Sequence, residues 1–327
     1  MTDNHQEAKG SAAMKHTLTL LTAWLAALLL ASQSAHSAPA SDARELTWRT
    51  DDTSVALLNR GKMVWQHVHD KKIGKPYMRF GLLDGTELTR PWPVPKGYPK
   101  SDHSWHRALW WSWKTINGVN YWEQNQTGTE PVNSHIETQS DGSAKIALTI
   151  AYHTPSNATV VIENRSILVS APDANGSYFI DWTADFSPAG NEDVRFGQNS
   201  YGGFALRMAA ECCGDAARGL PAWVFRSSEG ETNFNGQRAR WAAYQGQLPN
   251  GRSACVAIFD HPGNPRHPSL WQSRTQYPYL NPSLTCKEEY ILPSGKTLHL
   301  RYGVLIHAGI ADTKTLEKQW KKFTGQT

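Results

Sequence analysis

The feature that most constrains this fold is a regular alternation of short β-type runs with tight-turn dipeptides. From Glu45 onward, runs rich in Val, Ile, Leu and Thr are separated by Asn-Gly, Asp-Gly or Ser-Gly pairs. Such pairs tolerate the positive φ angles that short hairpin turns require. The pairs are Asp84-Gly85, Asn117-Gly118, Asp141-Gly142, Asn175-Gly176, Asn250-Gly251 and Ser294-Gly295. Because almost no helical periodicity interrupts this rhythm, the sequence predicts an all-β protein built as an antiparallel β-sandwich.

One helix is predicted, near the end of the chain. Leu316, Trp320 and Phe323 recur at helical spacing and would share one apolar face. Asp312 or Thr313 could supply the N-cap oxygen. The sequence therefore predicts a short C-terminal helix that closes the domain.

The start of the chain has the pattern of a secretion signal, which we expect to occupy residues 1–38. Lys15 precedes the apolar run 18–31, and the small residues of 35–38 follow it. This is the order of a basic region, an apolar core and a cleavage site. The apolar run is too short to span a bilayer comfortably, so we expect it to be removed.

The remaining segment, 39–327, is expected to form a single β-sandwich domain that is periplasmic or secreted. Translation could begin at Met1 or Met14. The formal net charge of +4 is mild and no block of Lys and Arg stands behind it, which argues against nucleic acid as a partner. No later apolar run is long enough to cross a bilayer, so no membrane insertion is expected after signal removal.

Four cysteines follow the predicted signal: Cys212, Cys213, Cys255 and Cys286. Adjacent cysteines rarely bridge each other because the geometry is strained, whereas an exported protein is exposed to oxidising conditions. We therefore expect a disulfide that joins Cys212 or Cys213 to Cys255 or Cys286, with the pairing left open.

The chain contains 14 tryptophans, which is many for its length. Large aromatic side chains either fill a wide β-core or form surfaces that stack on sugar rings. The sequence favours neither use over the other.

The first candidate site is the segment Asp102-His103-Ser104-Trp105-His106-Arg107, which follows a proline-rich loop. An imidazole can move protons near neutral pH, and an adjacent carboxylate fixes its tautomer. If the segment is extended, the two histidines point apart, whereas in a turn of helix they share a face. The alternative is that Asp102 and His106 only cap a turn and His103 makes a buried hydrogen bond.

The second candidate site is the loop from His261 to Arg274, which follows a predicted strand. Three prolines, Pro262, Pro265 and Pro268, stiffen it and restrict the geometry of the polar side chains between them. Such rigidity is typical of loops that must place side chains accurately. The alternative is a structural loop with surface histidines.

Two further features involve single strands. His135 opens a predicted strand and could reach the same end of the sandwich as the two loops. Glu163 and Arg165 lie two residues apart, on one face of a predicted strand, where they could form a structural ion pair.

With these segments identified, the chain resembles a bacterial family labelled "methane oxygenase PmoA-like", whose members are mostly exported and of unassigned function. The matching segments are Thr89-Arg90, Asp102 to Ala108, Asn117-Gly118 to Trp122, Gly202-Gly203-Phe204-Ala205-Leu206-Arg207, His261 to Arg274, Asn281-Pro282 and Leu300 to Gly309. Ser104, Trp105 and Ala108 depart from the family pattern, which has proline, histidine and glycine there. The resemblance covers most of the chain after the predicted signal.

The resemblance implies a β-sandwich akin to the sugar-binding sandwiches of mutarotases and polysaccharide lyases. The label itself does not define a function, because a particulate methane oxygenase subunit is an integral membrane protein. We therefore expect an exported carbohydrate-active enzyme that acts on a glycoside or uronate as a lyase, hydrolase or epimerase. Its partner would be a carbohydrate substrate.

In this hypothesis His103 and His106 supply acid and base, Asp102 orients one imidazole, and His261 is a further acid or base. The substrate would be bound by the arginine, asparagine and aromatic side chains of both loops. These are Trp105, Arg107, Asn264, Arg266, Trp271 and Arg274.

Two alternatives belong to other classes. One is a non-catalytic glycan-binding envelope protein, whose tryptophans stack on sugar while its histidines are structural. The other is a redox metalloprotein with copper, iron or manganese held by imidazoles. The cofactor is left open, with a divalent metal held by His135 and His267 as one option.

Overall fold

The computed structural model describes residues 44–99, 102–123, 128–214, 219, 221–230, 235–274 and 277–326. The predicted secretion signal and its cleavage site lie outside these residues. Residues Arg44–Thr327 form one unit. Nearly every regular element in it is a β-strand, and every strand pairing described is antiparallel.

The described strands, in chain order, are β1 Leu46–Asp51, β2 Ser54–Asn59, β3 Lys62–Val68, β4 Tyr77–Phe80, β5 Leu109–Ser112, β6 Thr115–Ile116, β7 Val119–Asn120, β8 Thr129–Thr138, β9 Ala144–His153, β10 Thr159–Val169, β11 Tyr178–Pro188, β12 Val194–Phe196, β13 Gly203–Arg207, β14 Val224–Ser227, β15 Trp241–Gln247, β16 Ser253–Asp260, β17 Leu270–Arg274, β18 Tyr279–Ser283, β19 Tyr290–Leu292 and β20 Leu298–Ala308. The α-helix α1 is Thr313–Thr324, and short 3₁₀ helices cover Lys71–Ile73 and Ala210–Cys213.

The described strands form two large sheets and one small sheet. The first large sheet has the order β1-β2-β3-β4-β5-β13-β18-β17, and the second has the order β14-β15-β16-β20-β11-β10-β9-β8. The small sheet has the order β19-β12-β6-β7. The predicted all-β class with a short C-terminal helix is therefore confirmed.

The main core lies between the two large sheets. Phe204 of β13, in the first sheet, stacks on Tyr302 of β20, in the second, with ring centroids 5.1 Å apart. Trp182 of β11 contacts the same phenylalanine edge-on at 5.4 Å. Aromatic side chains of this size each bury a large apolar area, which stabilises the contact between the sheets.

The outer face of the first sheet carries a second set of buried side chains. Successive residues of a strand point to opposite faces. In β13, Phe204 and Leu206 therefore belong to the main core, whereas Ala205 and Arg207 lie on the outer side. An aromatic cluster covers this outer face, formed by Tyr77, Trp110, Trp122 and Tyr279 with Trp92, Trp105, Tyr201 and Tyr277 packed against it.

Helix α1 is the short C-terminal helix that the sequence predicts, and it packs on the outer face of the second sheet. The Asp312 carboxylate accepts a hydrogen bond from the backbone N–H of Thr315 at 2.7 Å and caps the helix. Leu316, Trp320 and Phe323 are its buried residues. No described helix has the length and apolar character needed to cross a membrane.

The tryptophans lie mainly inside the protein. Eight of them are fully buried, namely Trp65, Trp110, Trp111, Trp113, Trp122, Trp182, Trp241 and Trp271. Core filling therefore accounts for most of the tryptophan enrichment. Trp92 and Trp105 remain partly exposed, close to the first candidate site.

The cysteines differ from the sequence prediction. Cys212, Cys213, Cys255 and Cys286 are all present as free thiols. Burial raises the pKa of the Cys255 thiol to about 12, so this group remains a thiol at neutral pH. Three of the four side chains are buried, where a free cysteine behaves as a small apolar residue.

The predicted pair of Glu163 and Arg165 forms a buried ion pair. Arg165 Nε donates to Glu163 Oε1 at 2.6 Å, and the Tyr152 hydroxyl donates to Glu163 Oε2 at 2.6 Å. Both charged side chains are almost completely removed from solvent. Removing one partner would leave the other charge buried without compensation.

We predict that Glu163→Leu lowers the free energy of unfolding by about 3–5 kcal/mol, because the Arg165 guanidinium loses its counterion. The double variant Glu163→Leu/Arg165→Met should recover much of this loss, since it replaces the pair with apolar side chains. Urea unfolding followed by circular dichroism measures both values. Equal stability of the single variant and the wild type would contradict the role assigned to the pair.

Candidate functional site

The segment 102–107 forms a turn rather than an extended strand. The backbone N–H of His106 donates to the carbonyl of His103 at 2.9 Å, and His103 has a φ of +51°. The two imidazoles consequently stack, with centroids 4.9 Å apart and planes 26° from parallel. Of the two conformations considered from sequence, the one that brings both histidines to the same side is observed.

Arg207 fixes this turn on the outer face of the first sheet. Its side chain is buried, and Nη2 donates to Asp102 Oδ1 at 3.0 Å. Nη1 lies 3.4 Å from Nδ1 of His106, and the guanidinium lies 3.7 Å from the ring centroid of Tyr277. One arginine from the middle of the sheet therefore contacts the carboxylate, a histidine and an aromatic ring of the site.

Asp102 and His103 form a hydrogen-bonded pair at the edge of the turn. Asp102 Oδ2 lies 2.5 Å from His103 Nδ1. Partial burial acts to raise the pKa of Asp102, but the hydrogen bond with His103 and the charge of Arg207 outweigh it and hold the pKa below its usual value. The ionised carboxylate keeps a proton on Nδ1 of His103, which leaves Nε2 free to accept one.

His106 is a neutral imidazole. Burial lowers its pKa to about 2, assisted by the nearby charge of Arg207. Because Arg207 Nη1 points its hydrogens at Nδ1, the proton of the neutral ring belongs on Nε2. His106 can therefore donate a hydrogen bond but does not gain a proton at neutral pH, which differs from the base role considered in the sequence analysis.

A small pocket of about 120 Å³ opens beside the two histidines. Its lining residues are His103, Trp105, His106, Trp122, Tyr201, Gln272, Arg274, Tyr277 and Tyr279. Tyr279 stacks on His106 with centroids 5.2 Å apart and planes 13° from parallel. The Tyr279 hydroxyl and Trp105 Nε1 are buried without a hydrogen-bond partner in the described part of the chain, so both could donate to a ligand.

The second candidate loop reaches this pocket only at its end. Arg274, the last residue of β17, lines the pocket with His103 and His106. Its Nη1 donates to Asn235 Oδ1 at 2.9 Å, which holds the guanidinium in place. Trp271 is fully buried instead, and its Nε1 donates to the carbonyl of Ala239 at 2.8 Å.

The other polar residues of that loop belong to a separate structural network. Asp260 is completely buried and accepts from Asn264 Nδ2 and from the backbone N–H of Ser269, both at 2.7 Å. His267 Nδ1 lies 2.7 Å from the same carboxylate, and its ring stacks on Trp320 of α1 at 6.4 Å. The rigid loop thus joins the second sheet to the C-terminal helix.

His261 and Arg266 also serve this network. The ring of His261 contacts Phe323 of α1 edge-on at 5.4 Å, and its Nε2 lies 3.4 Å from Arg301 Nη1. Arg266 donates to the backbone carbonyls of Leu284 and Glu289, both at 2.8 Å. Neither His261 nor Arg266 lines the histidine pocket.

The two possible metal ligands lie apart from each other in the described structure. His135 is exposed on strand β8, with Nε2 3.1 Å from Glu137 Oε1, whereas His267 is engaged by Asp260. The residues that the structure describes contain no group of three or more His, Cys, Asp or Glu side chains arranged to hold a metal ion.

Several site residues carry no role in the sequence prediction. Arg207 belongs to a segment used only for the family resemblance, and Tyr277 and Tyr279 follow Arg274 without a recognisable motif. The spacing of two residues between Tyr277 and Tyr279, just before and at the start of β18, is the signal that could have found these two tyrosines. Arg107 was predicted to bind substrate, and it lines a neighbouring groove rather than the histidine pocket.

Comparisons with known proteins identify the family. The chain belongs to a family of unknown function, DUF6807, whose model matches residues 54–321. Like the family that the sequence motifs resemble, it has no assigned function. A comparison with curated proteins gives no match.

Two solved structures illustrate the wider likeness. The chain is similar to an alpha-galactosidase from Lactobacillus brevis, with 9% identity and a TM-score of 0.38, over 88% of this chain and 42% of that one. It is also similar to a galactose mutarotase related enzyme from Lactobacillus acidophilus, with 7% identity and a TM-score of 0.34, over 82% of this chain and 99% of that one. Both TM-scores are below 0.5, so neither likeness bears on the reaction.

We predict that the His106 ring stays neutral when the pH falls from 8 to 4, because its pKa lies near 2. In Arg207→Met the pKa should rise, since a neighbouring positive charge that disfavours the imidazolium is removed. Long-range ¹H–¹⁵N spectra of the histidine rings follow both titrations, with Arg252→Met, on the surface beside Asp84, as the control. An imidazolium at His106 near pH 6 in the wild type would contradict the assignment.

Proposed function

We propose that this protein is an exported carbohydrate-active enzyme that transfers protons on acidic sugars, as a uronate lyase or epimerase. The observation that carries the proposal is the Asp102–His103 pair, with its 2.5 Å hydrogen bond, at the mouth of a pocket that also contains Arg274 and aromatic rings. The pocket thus combines a candidate base, a cation and surfaces suited to a sugar ring. Export rests on the sequence pattern of residues 1–38.

His103 is the proposed general base. Its side chain is partly exposed at the pocket, and Asp102 holds it in the tautomer whose Nε2 can accept a proton. The carbon beside the carboxylate of a uronate, C5, carries the hydrogen that such a base would remove. The adjacent carboxylate allows the negative charge to spread onto its oxygens.

Arg274 is the proposed partner of the substrate carboxylate. The planar guanidinium presents paired N–H donors that match two carboxylate oxygens. Proton removal increases the negative charge on these oxygens, so a fixed cation stabilises the transition state more than the ground state. Tyr279 and the neutral His106 contribute further N–H and O–H donors in the same pocket.

The proposed reaction proceeds in balanced steps. His103 takes the C5 proton, and the electron pair of the broken C–H bond moves toward the carboxylate. In a lyase the pair then forms a C4–C5 double bond and the oxygen on C4 leaves with a proton from Tyr277, whose ring centroid lies 6.2 Å from that of His103. In an epimerase the oxygen on C4 stays in place, and C5 regains a proton on the opposite face from the Tyr277 hydroxyl.

The described pocket favours these reactions over glycoside hydrolysis. Most glycosidases place two carboxylates on either side of the scissile bond. None of the described residues that line this pocket is Asp or Glu. The volume of about 120 Å³ is also below the roughly 300 Å³ at which ordinary ligand pockets begin, which suits one sugar ring or part of one.

We predict that the purified protein incorporates deuterium from heavy water at C5 of a uronate-containing oligosaccharide. His103→Gln should lower the rate by at least about 100-fold, because the base is lost, while substrate affinity changes little. Mass spectrometry of the recovered sugar measures the exchange, and ultraviolet absorbance detects an unsaturated product.

His299→Gln is the matched control for this experiment. His299 is an exposed histidine whose Nδ1 also lies 2.5 Å from an aspartate, Asp185, but it belongs to β20 of the second sheet and does not line the pocket. The rate of deuterium exchange by His299→Gln should equal that of the wild type. Oligosaccharide binding without exchange in any uronate tested would support a non-catalytic glycan-binding protein instead.

A further inference from the structure

A second and larger cavity adjoins the histidine pocket. This groove has a volume of about 680 Å³, and its lining includes Lys72, Lys75, Trp92, Arg107 and Thr129. Trp122 links the two cavities, because its ring lines the pocket and its carbonyl accepts a hydrogen bond from Lys75 Nζ at 2.6 Å. Arg107 follows directly after His106 in the chain.

Two cations of the groove are buried with carbonyl groups as their described partners. Lys75 Nζ donates to Trp122, and the Arg107 guanidinium donates to the carbonyls of Lys75 and of Ile73, the latter at 2.7 Å. No carboxylate is within salt-bridge distance of either side chain among the described residues. Burying a charge without a counterion is costly, and a bound anion would offset that cost.

The two carboxylates of the groove are already engaged. Glu123 receives Lys114 Nζ on both oxygens at 2.8 Å. Glu130 lies 3.9 Å from Lys71 Nζ and 3.3 Å from His153 Nε2. These contacts leave the groove with an excess of positive charge from Lys72, Lys75 and Arg107.

The groove also contains buried polar atoms that lack partners. Arg107 Nε and Thr129 Oγ1 have no hydrogen-bond partner within the described chain, and both residues are more than nine-tenths buried. Orphaned donors are uncommon in native proteins. A ligand with several oxygen atoms would satisfy both groups. Trp92 supplies an aromatic surface beside them, with its ring centroid 4.0 Å from the Arg107 guanidinium.

We propose that this groove binds the acidic residues of a carboxylate-bearing oligosaccharide that extend beyond the sugar held in the histidine pocket. The inference rests on the proposed function for the identity of the ligand as a uronate chain. Lys75 and Lys72 pair with sugar carboxylates, and Arg107 and Thr129 donate to their oxygens. The groove thereby selects acidic chains over neutral ones.

The state of Lys75 gives the groove a pH dependence. Burial lowers the pKa of this lysine to about 7, assisted by the charge of Arg107. Above pH 7 the free amine is mostly neutral, and an anion bound beside it favours the ammonium form. Binding near pH 8 therefore takes up a proton, and affinity falls with rising pH by up to about tenfold per unit.

The test is calorimetric binding of three probes: a tetramer of galacturonate, its neutral galactose counterpart and monomeric galacturonate. Lys75→Met and Lys72→Met should each lower the affinity for the acidic tetramer, and Lys75→Met should lower it by at least about tenfold. The monomer, which occupies only the pocket, should bind both variants as it binds the wild type. Lys296→Met, on an exposed turn, is the control, and thermal melting establishes that each variant is folded.

Proton uptake provides an independent measurement. At pH 8 the wild type should take up close to one proton per bound tetramer, measured in two buffers of different ionisation enthalpy. Lys75→Arg should abolish the uptake, because a guanidinium stays charged. If Lys75→Met fails to fold, proton uptake in Lys75→Arg and tetramer affinity in Lys72→Met still test the groove site.

Each outcome bears on one proposal. Unchanged tetramer affinity in Lys72→Met and in folded Lys75→Met, with no proton uptake by the wild type, would overturn the groove site even if His103-dependent exchange is found. Lysine-dependent binding of the tetramer without deuterium exchange would support the groove and overturn the reaction. Equal competition by inorganic sulfate and by the tetramer would show a general anion site and overturn the assignment to acidic sugar chains.

Discussion

The buried guanidinium of Arg207 is the interaction on which the candidate site depends. Strand alternation in β13 sends this side chain to the outer face of the first sheet, while Phe204 and Leu206 enter the main core. There it contacts Asp102, His106 and the ring of Tyr277. A side chain anchored in a strand of the sheet thereby holds the loop from Asp102 to Arg107 in one geometry.

The same arginine separates the properties of the two histidines. Its charge adds to the hydrogen bond with His103 in lowering the pKa of Asp102, and it adds to burial in lowering the pKa of His106. The two stacked imidazoles of one turn therefore lie in different environments: His103 is hydrogen-bonded to a carboxylate, whereas His106 is buried and neutral. Arg90 reinforces the positive potential, and burial together with the charge of Arg207 lowers its own pKa to about 10.

Positive charge is concentrated on this face of the molecule. Arg90, Arg107 and Arg207 are each only 1% exposed, and Asp102 is the carboxylate that contacts one of them among the described residues. Buried cations with so few counterions are costly to the fold. The proposed binding of an acidic sugar would offset part of this cost in both the pocket and the groove.

The sequence predicts local features of this architecture well. The alternating runs and turn dipeptides indicate an antiparallel sandwich, and the spacing of Leu316, Trp320 and Phe323 defines the helix. The segment from Asp102 to Arg107 is recognised because a carboxylate and two imidazoles fall within one turn. These features depend on neighbouring residues, so a single sequence reveals them.

Long-range contacts could not be predicted in the same way. The strand order β5-β13-β18 brings Arg207 and Tyr279 beside His106, although the three residues are far apart in sequence. The loop from His261 to Arg274 illustrates the opposite case. Its three prolines predict a rigid loop, but they do not predict which residues its side chains contact. Asp260 and helix α1 contact His267, and Arg301 contacts His261. The rigid loop therefore stabilises the fold.

The most direct test of the account is a crystal structure of His103→Gln bound to a uronate trisaccharide. We predict one sugar carboxylate on Arg274, C5 of that residue about 3–3.5 Å from the side chain at position 103, and the next acidic residue beside Lys75. A trisaccharide bound elsewhere on the protein, or oriented with C5 away from position 103, would contradict the account.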